Sequence, residues 1–181
     1  MSVDATRVIA MAGLQPLLGP NLRVVFCGTA VAERSATLGH YYAGPGNEFW
    51  SLLHDAGFTS ARLGPADDER LAEFGLGLTD VARGITQSND RGLRDKYDVQ
   101  LLWDSMATFQ PRFIAFTSKE AGRAVARGLG QPEPDLGAQS WSVAESRVFL
   151  LPSPSGANRR PDYSGRSTRL EWWAELSELA S

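Results

Sequence analysis

The 181-residue sequence has a single cysteine, Cys27, so it can form no intramolecular disulfide and cannot hold zinc through several cysteines. It has no apolar run long enough to cross a bilayer and no charged-then-apolar leader, and we therefore expect a cytoplasmic protein without membrane contact. P-loop, GxGxxG, GxSxG and HExxH motifs are also missing, which removes the common nucleotide, hydrolase and zinc-protease signatures. Neither a metal nor another cofactor is expected.

Acids outnumber basic residues, and the net charge of −3 with a pI of about 5.4 does not fit a protein that coats nucleic acid non-specifically. Arginines nevertheless concentrate near the C-terminus, where a single acid, Asp162, accompanies them. They are Arg159, Arg160, Arg166 and Arg169. A local basic face suits brief contact with phosphates, and an ordinary solvated arginine cluster is an equal alternative.

Short apolar runs alternate with helical patterns, which predicts one α/β domain over residues 1–181 with a mainly parallel sheet. Residues 1–20 form an N-terminal extension or helix in this interpretation, and residues 131–139 form a loop. The predicted strands are Arg23–Gly28, Leu76–Val81, Arg112–Thr117 and Arg147–Leu151. The predicted helices are Asn47–Ala56, Asp68–Phe74, Asp98–Phe109, Ser118–Leu129 and one that begins at Thr168 with a Thr168/Glu171 capping box.

Three long loops follow predicted strands, and ligands bind at the carboxyl ends of strands in open parallel sheets. These loops are Thr29–Gly46, Ala82–Arg91 and Pro152–Gly165. Together they predict one cleft.

Each loop carries residues with two interpretations. Tyr41 and Tyr42 could stack on a base or could pin their loop to the core. Asp90, within Ser88–Gly92, could orient and deprotonate a water or could cap a turn. The segment Pro152–Arg160 could press into a duplex groove or could be a plain surface loop.

Several ordered motifs resemble the mismatch-specific uracil/thymine-DNA glycosylases of the uracil-DNA glycosylase superfamily. The apolar strand ending at Gly28 leads to Gly44-Pro45-Gly46-Asn47-Glu48-Phe49-Trp50, where the family typically has His-Pro-x-Asn-Arg-Phe-Trp. Gly77-Leu78-Thr79-Asp80 resembles its Gly-x-Thr segment, and Leu151-Pro152-Ser153-Pro154-Ser155-Gly156 resembles its Leu-Pro-Asn-Pro-Ser-Gly loop. The similarity extends from Leu22 to about Arg160.

The resemblance implies a three-layer α/β/α sandwich around a four-stranded sheet. It implies a monomeric, monofunctional DNA glycosylase of base excision repair that flips uracil, typically opposite guanine, from double-stranded DNA and hydrolyses its N-glycosidic bond. The implied substrate-binding positions are Thr29 and Tyr42, whose N–H groups would read the pyrimidine, with Ala30, Asn47 and Ser153. The implied DNA-binding residues are Ser155, Gly156, Ala157, Asn158, Arg159 and Arg160.

Two departures bear on mechanism. Ala30 stands where the family has the asparagine that positions water, so we expect Asp90 to act as the catalytic carboxylate instead. Ala157 stands where the family has a large residue that fills the gap left by the flipped base, which leaves Asn158 or Arg159 as the substitute. The alternatives are a catalytically weak DNA-binding relative and a hydrolase of free nucleosides.

Overall fold

Five strands form one sheet in the computed structural model, which describes residues 14–84, 92 and 94–181. The strands are β1 (Val24–Gly28), β2 (Leu76–Asp80), β3 (Phe113–Phe116), β4 (Gly137–Val143) and β5 (Ser146–Leu150). Their order is β2-β1-β3-β5-β4, and every neighbouring pair is parallel except β4 with β5. The mainly parallel α/β sheet is confirmed, and the expected count of four strands is wrong.

The additional strand, β4, begins inside the segment that the sequence predicted to be a loop. It lies at the edge of the sheet and forms an antiparallel hairpin with β5, with Ala144 in the left-handed region (φ 50°) at the turn. Its side chains alternate between buried and exposed, so it shows none of the continuous apolar character of the central strands. Because alanine and serine fill its exposed positions and Gly137 and Gln139 lie on the other side, the β signal was weak.

Five α-helices accompany the sheet within the described residues: α1 (Glu33–Leu38), α2 (Phe49–Asp55), α3 (Val99–Phe109), α4 (Lys119–Gly128) and α5 (Arg169–Leu179). Two 3₁₀ helices cover Pro65–Phe74 and Arg94–Lys96. The helix α1 lies inside a segment predicted to be a loop. Residues 14–18 are not helical, and Leu17 pairs with Leu78 of β2 instead; the rest of the predicted N-terminal helix lies outside the described residues.

Three helices begin with a side-chain cap, and the predicted Thr168/Glu171 capping box is one of them. The Asp98 carboxylate accepts a hydrogen bond from the Leu101 amide at 2.9 Å, and the Ser118 hydroxyl accepts one from the Ala121 amide at 3.1 Å. Glu171 Oε1 accepts from the Thr168 amide at 3.2 Å, which completes the capping box at the start of α5. These bonds satisfy helix N–H groups that have no partner within the helix.

The sheet is buried on both faces. Val24 and Phe26 of β1 pack with α2 and α5, where Phe26 stacks on Trp173 at a centroid distance of 5.6 Å. The alternate residues, Val25 and Cys27, point to the opposite face and pack with α3 and α4. The result is a three-layer α/β/α sandwich in which Cys27 is a buried core residue. No helix among the described residues is long and apolar enough to span a bilayer.

Candidate active site

A cavity of about 420 Å³ opens at the carboxyl ends of the parallel strands. The ends of β1 and β2 contribute Gly28 and Asp80, and Thr117 follows β3. Residues 153–155, which follow β5, form the opposite wall. The edge that the loop pattern indicated is therefore the edge that carries the cavity.

All five predicted substrate-binding residues line this cavity: Thr29, Ala30, Tyr42, Asn47 and Ser153. They come from three separate stretches of the chain, and the fold brings them together. Asn47 Oδ1 accepts a hydrogen bond from the Phe49 amide at 2.9 Å, which fixes the turn that enters α2. The individual roles of these residues in binding a base stay predictions.

Tyr42 is held in a defined orientation beside the cavity. Its ring stacks on Phe49 at a centroid distance of 4.0 Å and an interplanar angle of 10°. Its hydroxyl is 3.0 Å from the Thr117 hydroxyl, and its backbone is in the left-handed region at φ 52°. A non-glycine residue in that region costs free energy, so the surrounding contacts must hold it there. Burial raises the pKa of Tyr42 well above its usual value, which keeps the hydroxyl neutral.

Asp80 is an ionisable cavity residue that the sequence analysis assigned no role. Only 7% of its surface is exposed, although it ends a strand at the cavity edge. Burial raises the pKa of Asp80 to about 8, and Arg83 opposes this shift. At neutral pH the group is therefore mainly a carboxylic acid, which can both donate and accept a hydrogen bond. An acid at the carboxyl end of a predicted strand was the signal available in the sequence.

Gly28 leaves the space that the Asp80 carboxyl occupies. A Cβ atom on Gly28 would lie 2.7 Å from Asp80 Oδ1 and 3.6 Å from the hydroxyl oxygens of both Thr117 and Tyr42. Three polar groups thus converge on one corner of the cavity, and only glycine at position 28 permits it.

The predicted DNA-binding residues belong to one loop but differ in exposure. Ser155 lines the cavity, and Gly156 packs on the Gly46 backbone so closely that a Cβ atom would lie 2.6 Å from the Gly46 carbonyl oxygen. Asn158 is half-buried and donates through Nδ2 to the Ser153 carbonyl at 3.0 Å. The remaining three, Ala157, Arg159 and Arg160, are exposed.

The arginine cluster divides into two groups. Arg159 and Arg160 are exposed, whereas Arg166 lies 3.7 Å from the Trp172 ring centroid and pairs with Glu175. Arg169 is buried, with 7% of its surface exposed. The expected basic face of four arginines is therefore limited to Arg159 and Arg160, because Arg166 and Arg169 contact other residues of the protein.

Arg160 also lines a second cavity of about 380 Å³ with Lys119 and Arg123. This cavity shares Ser118 and Ser153 with the first. Glu120 and Asp162 line it too, so a groove of mixed charge, with three basic and two acidic side chains, adjoins the strand-end cavity directly.

Asp90, the predicted catalytic carboxylate, lies outside the described residues. Within residues 14–84, 92 and 94–181, no group of three or more histidine, cysteine or acidic side chains is placed to hold a metal ion.

The comparisons with known proteins agree with this architecture. The sequence model of the Uracil DNA glycosylase superfamily matches residues 15–177, and the chain belongs to that superfamily. The solution NMR structure of a Methanosarcina acetivorans protein, proposed to be a uracil DNA glycosylase, has a similar fold with a TM-score of 0.54. It is 24% identical to this chain, and the alignment covers 94% of this chain and 99% of the other.

Proposed function

We propose that this protein is a mismatch-specific, monofunctional uracil-DNA glycosylase that acts as a cytoplasmic monomer in base excision repair. Its substrate is uracil, or a related mispaired pyrimidine, opposite guanine in double-stranded DNA. The observation that carries the proposal is the cavity at the strand ends, which is the size of a small-molecule site and is lined by the resembling motifs. Membership of the superfamily supports DNA glycosylase chemistry, and the mismatch preference is the further step.

The cavity offers groups suited to a flipped pyrimidine. The Tyr42 ring, fixed by Phe49, provides a flat surface, and a base stacked on an aromatic ring gains about 1–3 kcal/mol. Asp80 in its neutral form can donate to a pyrimidine carbonyl and accept from the ring N–H. Both groups contact the base and leave the sugar at the cavity mouth.

Bond cleavage follows from charge separation between base and sugar. As the bond between C1′ and the base nitrogen breaks, its electron pair moves to the base and the sugar becomes oxocarbenium-like. Hydrogen-bond donors at the cavity stabilise the departing base, and a carboxylate beside the sugar stabilises the cation and takes a proton from the attacking water. We assign that carboxylate to Asp90. The products are the free base and an abasic site.

The lysines of the sequence, Lys96 and Lys119, do not line the strand-end cavity. A lysine Schiff base with the sugar is therefore not available from the cavity lining, which supports hydrolysis without strand cleavage. In the adjoining groove, Lys119 and Arg160 contact the phosphates of the strand that carries the flipped nucleotide, whereas Arg123 is paired with Glu133.

A single-turnover excision panel tests the function. We expect uracil release from a G·U duplex to exceed release from A·U and G·T duplexes and from single-stranded DNA, with intact strands until alkali is added. Equal release from free uridine would favour the nucleoside hydrolase instead. DNA binding without any release would identify a catalytically inactive relative.

The structure also favours one substitute for the missing large residue at Ala157. The half-buried Asn158 side chain donates to the Ser153 carbonyl at 3.0 Å, whereas Arg159 is exposed and donates to the Gly156 carbonyl only at a longer 3.4 Å. We infer that Arg159 fills the gap left in the duplex, where unstacking costs a few kcal/mol.

Replacing Arg159 should therefore slow excision by a route different from phosphate binding. Arg159→Ala should lower the single-turnover rate on G·U about tenfold, because the gap is left unfilled, with little change in salt dependence. Arg160→Ala should instead weaken binding and reduce the salt slope by about one. Arg70→Ala, an exposed arginine in the 3₁₀ helix Pro65–Phe74, is the control that should change neither. A reduced salt slope without a rate loss in Arg159→Ala would make Arg159 a phosphate contact.

A further inference from the structure

Arg169 is a buried cation at the first residue of α5, and it does not line the strand-end cavity. Its Nη1 group donates to the Ser153 carbonyl at 2.7 Å and to the Ser155 carbonyl at 2.9 Å. Its Nη2 group pairs with the Glu48 carboxylate. One guanidinium thus joins the loop after β5 to the turn before α2.

Every backbone carbonyl of the Pro152–Ser155 loop accepts a hydrogen bond. Trp173 Nε1 donates to the Pro152 carbonyl at 3.2 Å, and the Glu48 amide donates to the Pro154 carbonyl at 2.9 Å. With the two bonds from Arg169, four consecutive carbonyls of Pro152–Ser155 are hydrogen-bonded towards the protein. Glu48 takes part twice, through its amide and through its carboxylate.

Both segments that Arg169 joins are walls of the cavity. Ser153, Pro154 and Ser155 form one wall, and Gly44 and Asn47 belong to the other. The two backbones also meet where Gly156 packs on Gly46. A charged group that is desolvated between them and bonded to both gives more geometric constraint than neutral contacts, because hydrogen bonds from a guanidinium are strong and directional.

We propose that Arg169 is a positioning residue that locks the Pro152–Ser155 loop to the Asn47–Glu48 turn, so that both walls of the base cavity keep one relative position during excision. This inference rests on the proposed function for its role in excision. It explains why a basic residue of the C-terminal arginine cluster is removed from solvent.

Arg169→Gln removes the charge and keeps one short donor, and Arg169→Lys keeps the charge without the planar fork. Arg23→Gln is a matched control, because Arg23 is a partly buried guanidinium that donates to two backbone carbonyls, Phe74 at 2.9 Å and Phe58 at 2.7 Å, away from the cavity. All three variants should lose some thermal stability.

The maximum single-turnover rate on the G·U duplex, per folded molecule, should fall about 30-fold in Arg169→Gln, since small misplacements of binding groups have large kinetic effects. Arg169→Lys should recover part of that loss, and Arg23→Gln should keep the wild-type rate. Glu48→Gln combined with Arg169→Gln should be little slower than Arg169→Gln alone, because both changes break one linkage. An Arg169→Gln rate equal to that of Arg23→Gln would overturn the proposal.

Amide exchange gives a readout that does not depend on catalysis. Hydrogen exchange at the Glu48 amide and at the Asn158 amide, which bonds to the Ser155 carbonyl at 3.0 Å, should accelerate in Arg169→Gln and not in Arg23→Gln. If the wild-type protein releases no base from any substrate, the proposed function fails while this measurement still decides the linkage. Unchanged exchange at both amides in Arg169→Gln would overturn the linkage itself.

Discussion

Excision of uracil by the wild-type protein should fall as the pH rises through about 8, and Asp80→Asn should remove that fall. Below this pH the buried carboxyl of Asp80 holds a proton and can donate to the base. Above it, the carboxylate places a negative charge beside a base that itself gains negative charge as its bond to the sugar breaks. The wild-type rate should approach a tenfold loss per pH unit, roughly, beyond the pKa. The amide of Asn donates and accepts at every pH, so its profile should stay level.

The profiles are to be measured as single-turnover rates on one G·U duplex, so that ionisation of the DNA is the same for every variant. Asp68→Asn is the control, because Asp68 is a buried carboxyl that accepts from the Tyr41 amide at 3.1 Å but does not line the strand-end cavity. Its profile should keep the alkaline fall. If Asp80→Asn keeps that fall as well, the group that ionises is not Asp80.

Thermal unfolding gives an independent reading of the same carboxyl. The pKa of Asp80 is raised in the folded protein from 3.8 to about 8, so the folded state retains a proton that the unfolded chain releases. Asp80 therefore causes no loss of stability below about pH 4. Above that, the free energy of unfolding declines as the pH rises towards 8, by up to about 1.4 kcal/mol per pH unit. Asp80→Asn should flatten this part of the stability profile and should be more stable than wild type at pH 8.

The central part of the fold could be predicted from sequence because its strands are continuous apolar runs. A strand buried on both faces, such as β1, leaves no other consistent interpretation for Arg23–Gly28. The edge strand β4 has one mainly buried side and only alanine and serine on the other, so its signal was lost among the glycines and prolines before it. The helix α1 has six residues, too few for a clear helical period.

The place of the site could be predicted for a similar reason, since parallel strands present their carboxyl ends at one edge. The chemistry of individual residues could not. Asp80 belongs to a strand by pattern, and its protonation depends on burial by segments distant in the sequence, such as Gly28 at the end of β1. By composition, Arg169 belonged to a basic cluster. Only the packed structure shows that its guanidinium pairs with Glu48 and donates to two backbone carbonyls.

The strongest loss of activity is expected from Asp90→Ala, which should abolish release of uracil from G·U while folding and DNA binding survive. The reason is the alanine at position 30, which lines the cavity and cannot hydrogen-bond to water through its side chain. A carboxylate that takes the water's proton and faces the sugar cation is worth a factor of about 10²–10⁴ as a general base alone. The measurement is the single-turnover rate, with binding to an abasic duplex as the check on folding.

Two further variants locate the catalytic carboxylate. Adding Ala30→Asn to Asp90→Ala should restore part of the rate, because the new amide would project into the cavity where Ala30 does. Wild-type turnover in Asp90→Ala together with an inactive Asp80→Asn would move the catalytic role to Asp80. The proposal requires the reverse, since an acid that is neutral at pH 7 suits the base and an ionised one suits the water. A carboxyl group that binds the base and another that activates the water can divide the reaction only if their environments keep their charges different.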